Sequence, residues 1–319
     1  MKTIAILGAN GRLSNMAAKA FHKAGYSVIA VTRTGKSRNL PADIENRAAN
    51  AHEVQSLIQA TRGADFIFNG LNPPYTRWSK EAMPLAKNVI AAARSHGAVH
   101  LFPGNVYNYG TEIGLNMTEQ TSFSPSVRKG LIRIQTEEVF QRAAEEEGVK
   151  TLILRAGDFY GGPIEGSWFD LALASKLRKK VFTYPGPMNL PHAWAYLPDL
   201  ANAFVSLAGL SSDLGKFERF NFQGHTLTGN EMLAHVETAL KSPIKQASIP
   251  WFIFKVGGLV NAMWREIAEM SYLWSTPHSL GTTNADKLAP ILDCTSPQSA
   301  VANALAELDF NVDLPESQQ

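Results

Sequence analysis

The chain has 319 residues, is 45% hydrophobic and 18% charged, and carries a formal net charge of +2 at pH 7. That length allows a well-buried core, either one domain or a domain with a lobe. The apolar content excludes a disordered chain, and the small charge without a long basic block argues against nucleic acid as a partner. A single cysteine, Cys294, excludes an internal disulfide and fits a reducing, cytoplasmic setting. No secretory leader is expected, because the N-terminal apolar run is short and reads as a strand. The segment Trp251–Trp274 contains Lys255, Arg265, Glu266 and Glu269, so it is a poor span and no membrane partner is expected. His96 and His100 stand four apart around Gly97 and make no zinc pattern, so no metal is expected.

In chain order, Lys2–Leu7 reads as a buried strand. It runs into the glycine turn Gly8–Ser14 and then into the helix-forming run Met16–Phe21. Tyr26–Val31 is the second strand, and a helix at about His52–Thr61 precedes a strand at Phe66–Phe68. Pro84–Ser95 is an alanine-rich helix, Val99–Phe102 a strand, Leu131–Glu147 a long amphipathic helix and Lys150–Arg155 another strand. This alternation predicts an α/β fold, a doubly wound parallel sheet with helices on both faces. A dinucleotide-binding core over residues 1–160 and a smaller C-terminal lobe over most of 161–319 are expected, with a late strand and helix (about 196–223) returning to the core.

Strand, glycine turn and helix in that order form a phosphate cradle. Gly8 lets the chain leave the strand tightly. Gly11 lets backbone N–H groups approach a pyrophosphate, which the helix dipole favours. The third small position, here Ser14, packs helix on strand. Ligands of such a sheet sit at the carboxyl ends of its strands. The site is therefore expected from Gly8–Ser14, Thr32–Arg38, Asn69–Trp78, Pro103–Gly110 and Ala156–Pro163. Dinucleotide contacts are expected from Gly8, Asn10, Gly11, Arg12 and Leu13, from Arg33, and from Asn69, Leu71 and Asn72. After the second strand the run Thr32-Arg33-Thr34-Gly35-Lys36-Ser37-Arg38 has three cations and no carboxylate. It suits a 2′-phosphate, with Arg12 in reach of the same group, and so predicts NADP over NAD.

These segments resemble the extended short-chain dehydrogenase/reductase superfamily, the epimerase and dehydratase group. Gly8–Ser14 is similar to its GxxGxxG turn, and Phe102–Tyr107 to its segment Ser-Ser-x-x-Val-Tyr-Gly. Leu154–Gly161 resembles its Arg-Pro-x-x-x-Tyr-Gly, and Ala195–Ala201 its Val-x-Asp-x-Ala helix start. The resemblance implies a nicotinamide cofactor and a substrate pocket built by the C-terminal part. It also implies a homodimer paired through two long helices, here Pro84–Ser95 and Leu131–Glu147. Asp199, just after Pro198, has a structural account as a helix cap. The superfamily's tyrosine and the lysine four residues later are missing. On the match to Tyr-Gly-x-x-Lys-x-x-x-Glu, Lys129 stands at the tyrosine and Arg133 at the lysine, while Gly130 and Glu137 keep their places.

Three replacements for that proton relay are open. A phenol on a strand-end loop, Tyr107, Tyr109 or Tyr160, does the work while Asn105 holds a substrate oxygen and Asn72 and Tyr75 line the nicotinamide side. Lys129 is itself the acid, its pKa lowered by Arg133. Or there is no reaction, and the fold holds a dinucleotide and signals through a partner. The candidate catalytic residues are thus Asn105, Tyr107, Lys129 and Tyr160. Aromatic residues with few charges in the later part (Trp168, Phe169, Tyr184, Met188, His192, Trp194, Tyr196, then Trp251–Phe254 through Trp264 and Tyr272–Trp274) suggest a fairly apolar small-molecule pocket, or the lobe's own core, or a surface that covers a dimer partner. The reading preferred is an NADP-dependent oxidoreductase or epimerase-like enzyme for a small carbonyl or alcohol. The alternative is a catalytically silent NADP-binding module.

Overall fold

The computed structural model describes residues 1–284 and 294–312. Its core begins with strand β1 (Thr3–Leu7), helix α1 (Arg12–Lys23), β2 (Ser27–Thr32), β3 (Glu45–Ala48), α2 (Val54–Ala60) and β4 (Phe66–Asn69). It continues with α3 (Trp78–His96), β5 (Val99–Gly104), α4 (Arg128–Glu146) and β6 (Thr151–Arg155). β7 (Asp158–Tyr160), β8 (Val181–Tyr184), β9 (His192–Tyr196), α5 (Leu197–Gly209) and β10 (Phe217–Asn221) follow. β11 (His225–Leu227), α6 (Gly229–Leu240), β12 (Lys245–Ser248), α7 (Trp251–Gly257), α8 (Ala262–Glu269), α9 (Tyr272–Ser275) and α10 (Pro297–Ala306) complete the described elements.

Seven strands form one parallel sheet in the order β10-β6-β5-β4-β1-β2-β3. Strand order reverses beside β1, which pairs with both β2 and β4, and a crevice opens at such a point. The period of two along β1 assigns its faces. Ile4 and Ile6 pack with Ala17 and Phe21 of α1 and with Leu200 and Phe204 of α5. Ala5 and Leu7 face the other side, with Leu57, Val89, Ile90 and Phe140 of α2, α3 and α4. The α/β doubly wound sheet is as the sequence predicts, and β10 joins it in parallel with β6.

Two elements differ from expectation. β3 has the polar sequence Glu45-Asn46-Arg47-Ala48, which carries no apolar alternation because it is an exposed edge. α3 starts at Trp78, a turn and a half before Pro84, and holds that proline inside. The lobe elements β8, β9, β11, α6 and α10 enclose Phe169, Phe182, Tyr184, Trp194, Tyr196, Met232 and Leu305 in a separate aromatic-rich core. Most of the later aromatics are therefore core rather than pocket wall.

Two polar clusters tie the sheet to the loops above it. Glu137 of α4 accepts from both Arg155 Nη2 contacts at 2.9 Å, from Arg219 Nε at 3.0 Å and from Asn108 Nδ2 at 2.9 Å. Arg155 and Glu137 are each 1% exposed, and Arg155 also donates to the carbonyl of Asn105. His100 of β5 bridges Asn69 of β4 at 3.2 Å and Thr151 of β6 at 3.1 Å. Burial drops its pKa to about 3, so it is neutral in the folded protein. Asp199 stands in the first turn of α5, whose N-cap is Tyr196; both its oxygens accept from Thr295, at 2.8 Å each, and so hold the chain that leads into α10.

Glu137→Ala leaves two guanidinium groups, one of them wholly buried, without their carboxylate. Urea unfolding should show a loss of about 3–5 kcal/mol, and a loss below about 1 kcal/mol would mean the pair contributes no more than a surface bridge. His100 predicts a pH effect of definite sign. The unfolded chain binds a proton near pH 6.5 while the folded chain resists it down to about 3, so stability falls as pH drops below 6.5. Urea titrations at pH 7 and pH 5 should differ by about 2 kcal/mol less in His100→Gln than in the wild type; an unchanged difference would refute the assignment.

Candidate dinucleotide and substrate site

A cavity of about 1120 Å³ runs over the carboxyl ends of the strands. This exceeds the roughly 300–1,000 Å³ of common small-molecule pockets. Its lining takes in all five segments expected from the sequence, from Gly8–Ser14 to Ala156–Phe159.

At the glycine turn, Gly8 has φ +68°, and a Cβ there would lie 3.2 Å from the carbonyl of Gly70. Gly11 N donates to the Gly8 carbonyl at 2.7 Å and closes the turn. Ser14 packs so closely on the end of β4 that a Cβ on Gly70 would fall 1.8 Å from its Oγ, and that Oγ donates to the Leu7 carbonyl at 3.1 Å. A larger third residue would push α1 off the sheet. α1 has no capping side chain and no acid in its first turn. Its leading N–H groups therefore face the cavity with a positive helix end, which fits a pyrophosphate. Leu13 is buried beneath the turn and lines the cavity.

Asn10 and Arg12 line the cavity but are engaged elsewhere. Asn10 Nδ2 donates to the Lys36 carbonyl at 2.9 Å, and its Oδ1 accepts from Arg38 N at 2.8 Å, so it pins the loop after β2 to the glycine turn. Arg12 Nε donates to the Ile164 carbonyl at 2.7 Å and Nη2 to that of Gly161 at 3.0 Å, with Asp170 at 3.5 Å. Arg12 is thus a clamp on the segment after β7, which corrects its expected reach to a 2′-phosphate. Arg33 and Arg38 are exposed on the lining, and Lys36 is not part of it. Asn69 is buried, with Oδ1 accepting from Leu71 N at 3.3 Å and Nδ2 on His100. Its amide is committed to the wall, while Leu71 and Asn72 present themselves to the cavity.

At the other end stands a pair of phenols. Tyr107 and Tyr75 hydroxyls are 2.8 Å apart, and both residues line the cavity. Burial pushes both pKa values up, Tyr107 well above the ordinary phenol, so both keep their protons. One O–H is spent between the rings and the other is free for a third oxygen. Asn105 Oδ1 caps the following turn by accepting from Tyr107 N at 3.1 Å, which leaves its Nδ2 as a donor on the cavity wall. The Arg133 guanidinium lies 4.5 Å from the Trp78 ring and 5.3 Å from Phe102, and its buried Nε has no hydrogen-bond partner among the described residues. Asp158, also on the lining, is held by His192 Nε2 at 2.9 Å, and His192 stacks on Trp274.

The structure corrects two of the candidate catalytic residues. Tyr160 is wholly buried in the lobe core, and its hydroxyl is 2.6 Å from His225 Nδ1. His225 Nε2 sits 2.7 Å from the Thr295 carbonyl, which requires N–H there, so Tyr160 donates to the other nitrogen. Tyr160 packs against Phe169, Trp194 and Tyr196 in the lobe core, while Asp158 and Phe159 line the cavity. Tyr109 is likewise buried, facing Phe123. Lys129 is buried away from the lining, with Nζ donating to Glu266 and, at 2.8 Å, to Glu269 of α8. Two carboxylates surround it, where the sequence reading expected Arg133 as its charged neighbour.

The sequence reading missed three groups. Ala49, Asn50, Ala51 and Leu57 line the end beyond β2, and they follow the polar edge strand that alternation does not reveal. Asp158 was visible only as a motif position. Ile267 and Met270, which close the cavity beside Phe254 and Met263 of the expected aromatic stretch, come from far along the chain.

A family model described as the NAD dependent epimerase/dehydratase family matches residues 4–222. No curated protein sequence matches the chain. Among solved structures, UDP-glucose 4-epimerase of Thermotoga maritima with UDP-glucose aligns with TM-score 0.77 at 14% identity, covering 97% of this chain and 99% of that one. UDP-glucose 4-epimerase of Brucella ovis in complex with NAD aligns with TM-score 0.75 at 14% identity, covering 99% and 100%. L-threonine dehydrogenase of Phytophthora infestans aligns with TM-score 0.75 at 15% identity, covering 97% and 99%. At such identities these likenesses establish the fold. With the family match spanning the whole glycine-turn core and all four motifs, the chain belongs to the NAD-dependent epimerase/dehydratase family.

Proposed function

We propose that this protein is an NADP-dependent oxidoreductase or epimerase-like enzyme acting on a small, fairly apolar carbonyl or alcohol, working in a reducing cytoplasmic setting. The observation that carries the reading is one continuous cavity, from a donor-rich glycine turn to a pair of protonated phenols. Gly8, Gly11 and Leu13 would hold the pyrophosphate and Ala49–Ala51 the adenine. Arg33 and Arg38 would hold the 2′-phosphate, since no carboxylate stands after β2 to favour a free ribose hydroxyl. Leu71 and Asn72 would flank the nicotinamide, which supplies or accepts a hydride. Tyr107, backed by Tyr75, would donate a hydrogen bond to the substrate oxygen, with Asn105 Nδ2 as second donor and Arg133 as the nearby fixed cation. Leu171, Phe254, Met263 and Ile267 would exclude water from that end.

One observation favours the silent-module reading. Lys129 is paired with Glu266 and Glu269, and burial raises both phenols, Tyr107 well above its ordinary value, so both keep their protons. A homodimer through α3 and α4, which pack side by side, belongs to the same family-based proposal.

Calorimetric titration with NADPH and NADH tests the cofactor. Wild type should prefer NADPH, and Arg33→Ala should weaken NADPH by about tenfold or more while leaving NADH unchanged; failure of both cofactors to bind folded protein would overturn the reading. NADPH oxidation with a panel of aldehydes, ketones and quinones separates enzyme from silent module. Tyr107→Phe should lower any turnover found by about a hundredfold with NADPH affinity retained. Tight NADPH binding with no turnover across the panel would favour the silent module.

A further inference from the structure

The helical hairpin α7–α8 carries an apolar surface that nothing among the described residues covers. Phe252 is 68% exposed, Val256 65%, Leu259 83% and Val260 91%, with Ile253, Met263 and Trp264 beside them. These residues occupy one short stretch on a soluble fold, where scattered single apolar residues are the norm and contiguous patches mark a partner. The hairpin is rigidly built. A Cβ on Gly257 would lie 2.1 Å from the Trp264 ring, and one on Gly258 3.0 Å from Arg265 Cα, so the two helices cross in close contact. Asn261 caps α8 by accepting from Met263 N at 2.9 Å and Trp264 N at 3.2 Å. Trp251 Nε1 donates to the Pro185 carbonyl at 2.6 Å, and Glu266 and Glu269 bind Lys129 and Arg128 of α4. The base is therefore anchored by polar contacts, and the outer face is held out to solvent.

The charges on this face point to its partner. From Trp251 to Arg265 the chain has Lys255 and Arg265, both exposed, and no Asp or Glu. The next acids, Glu266 and Glu269, are already used by Lys129 and Arg128. A two-fold contact with a second copy would set the same patch against itself, cation facing cation with no carboxylate between. An anionic lipid surface meets both demands, since it accepts aromatic and aliphatic side chains at the acyl boundary and offers negative headgroups to the flanking cations. The same hairpin lines the substrate cavity through Phe254, Met263 and Ile267, and Met263 belongs to both the exposed face and the cavity wall.

We propose that the α7–α8 hairpin docks this protein on an anionic membrane surface, with Phe252, Val256, Leu259 and Val260 inserted and Lys255 and Arg265 on the headgroups. Such a hairpin lies in the interface and needs no span; among the described residues no helix is long and apolar enough to cross a membrane. The test is co-sedimentation of full-length protein with vesicles of equimolar phosphatidylcholine and phosphatidylglycerol, against pure phosphatidylcholine, at low and high salt. Wild type should pellet with the anionic vesicles and be released by salt. Leu259→Ser with Val260→Ser, and separately Lys255→Glu with Arg265→Glu, should each lower partition by at least about tenfold. Both substitution pairs lie on the exposed face, and unchanged thermal melting and NADPH titration would show that fold and cofactor site persist. That titration also separates failure here from failure of the cofactor reading. Wild type remaining in the supernatant with anionic vesicles at low salt would overturn the proposal. So would self-association in sedimentation velocity that Leu259→Ser with Val260→Ser abolishes, without vesicle binding, which would assign the face to a second copy.

Discussion

The carboxylate of Glu137 organises the upper half of the molecule. Four hydrogen bonds from three donor nitrogens, on three other segments, converge on its two oxygens. Arg155 at the end of β6 and Arg219 on β10 fix the last strands against α4. Asn108 and the Arg155 contact to the Asn105 carbonyl fix the loop after β5 against both. A buried charge without its partner costs several kcal/mol, which is a large fraction of a domain's net stability. The loop that presents Asn105 and Tyr107 is therefore set by electrostatics beneath it. Its rigidity is a consequence of where Glu137 sits on the helix.

At the other end of the cavity the constraint is steric. β1, β4 and the start of α1 approach so closely that glycine at 8 and 70 and serine at 14 are the residues that fit. Close approach is what leaves the first N–H groups of α1 facing open space above β1. His100, kept neutral by burial, locks Asn69 and Thr151 across three strands below this crevice. Phosphate recognition and strand packing are thus two aspects of one contact. The loop after β2 joins the same unit through Asn10, which holds the backbone of residues 36 and 38 and leaves Arg33 and Arg38 facing outward.

The end of the cavity proposed for the substrate differs from the family motif in a physically consistent way. Lys129, which the sequence match sets at the usual phenol, lies in a buried ion-pair cluster with α8. The phenols that line the cavity, Tyr75 and Tyr107, come from the loops after β4 and β5 and share a hydrogen bond. Their proton affinity is raised by burial, so they act as hydrogen-bond donors rather than as phenolates. Arg133 supplies a permanent positive charge held between aromatic rings, and Asp158 a carboxylate oriented by His192. On the proposed reading, hydrogen-bond donation and fixed charge would take the place of the family's tyrosine–lysine pair.

Local signals in the chain determined the sheet, the glycine turn and the five segments at the strand ends. Each depends on apolar alternation, helix period or the conformational freedom of glycine, all of which act over a few residues. The polar edge strand β3 escaped because an exposed edge needs no alternation. Side-chain direction on the loops was decided by tertiary contacts. Tyr160 and Tyr107 are equal as sequence, yet one donates to His225 inside the lobe and the other faces the cavity. Arg12 lies in the turn but is claimed by carbonyls about 150 residues away. Lys129 is claimed by Glu266 and Glu269. A charged or hydroxyl side chain goes to whichever partner the fold brings within about 3 Å, and that partner is set by packing between distant segments, which the neighbouring residues do not encode.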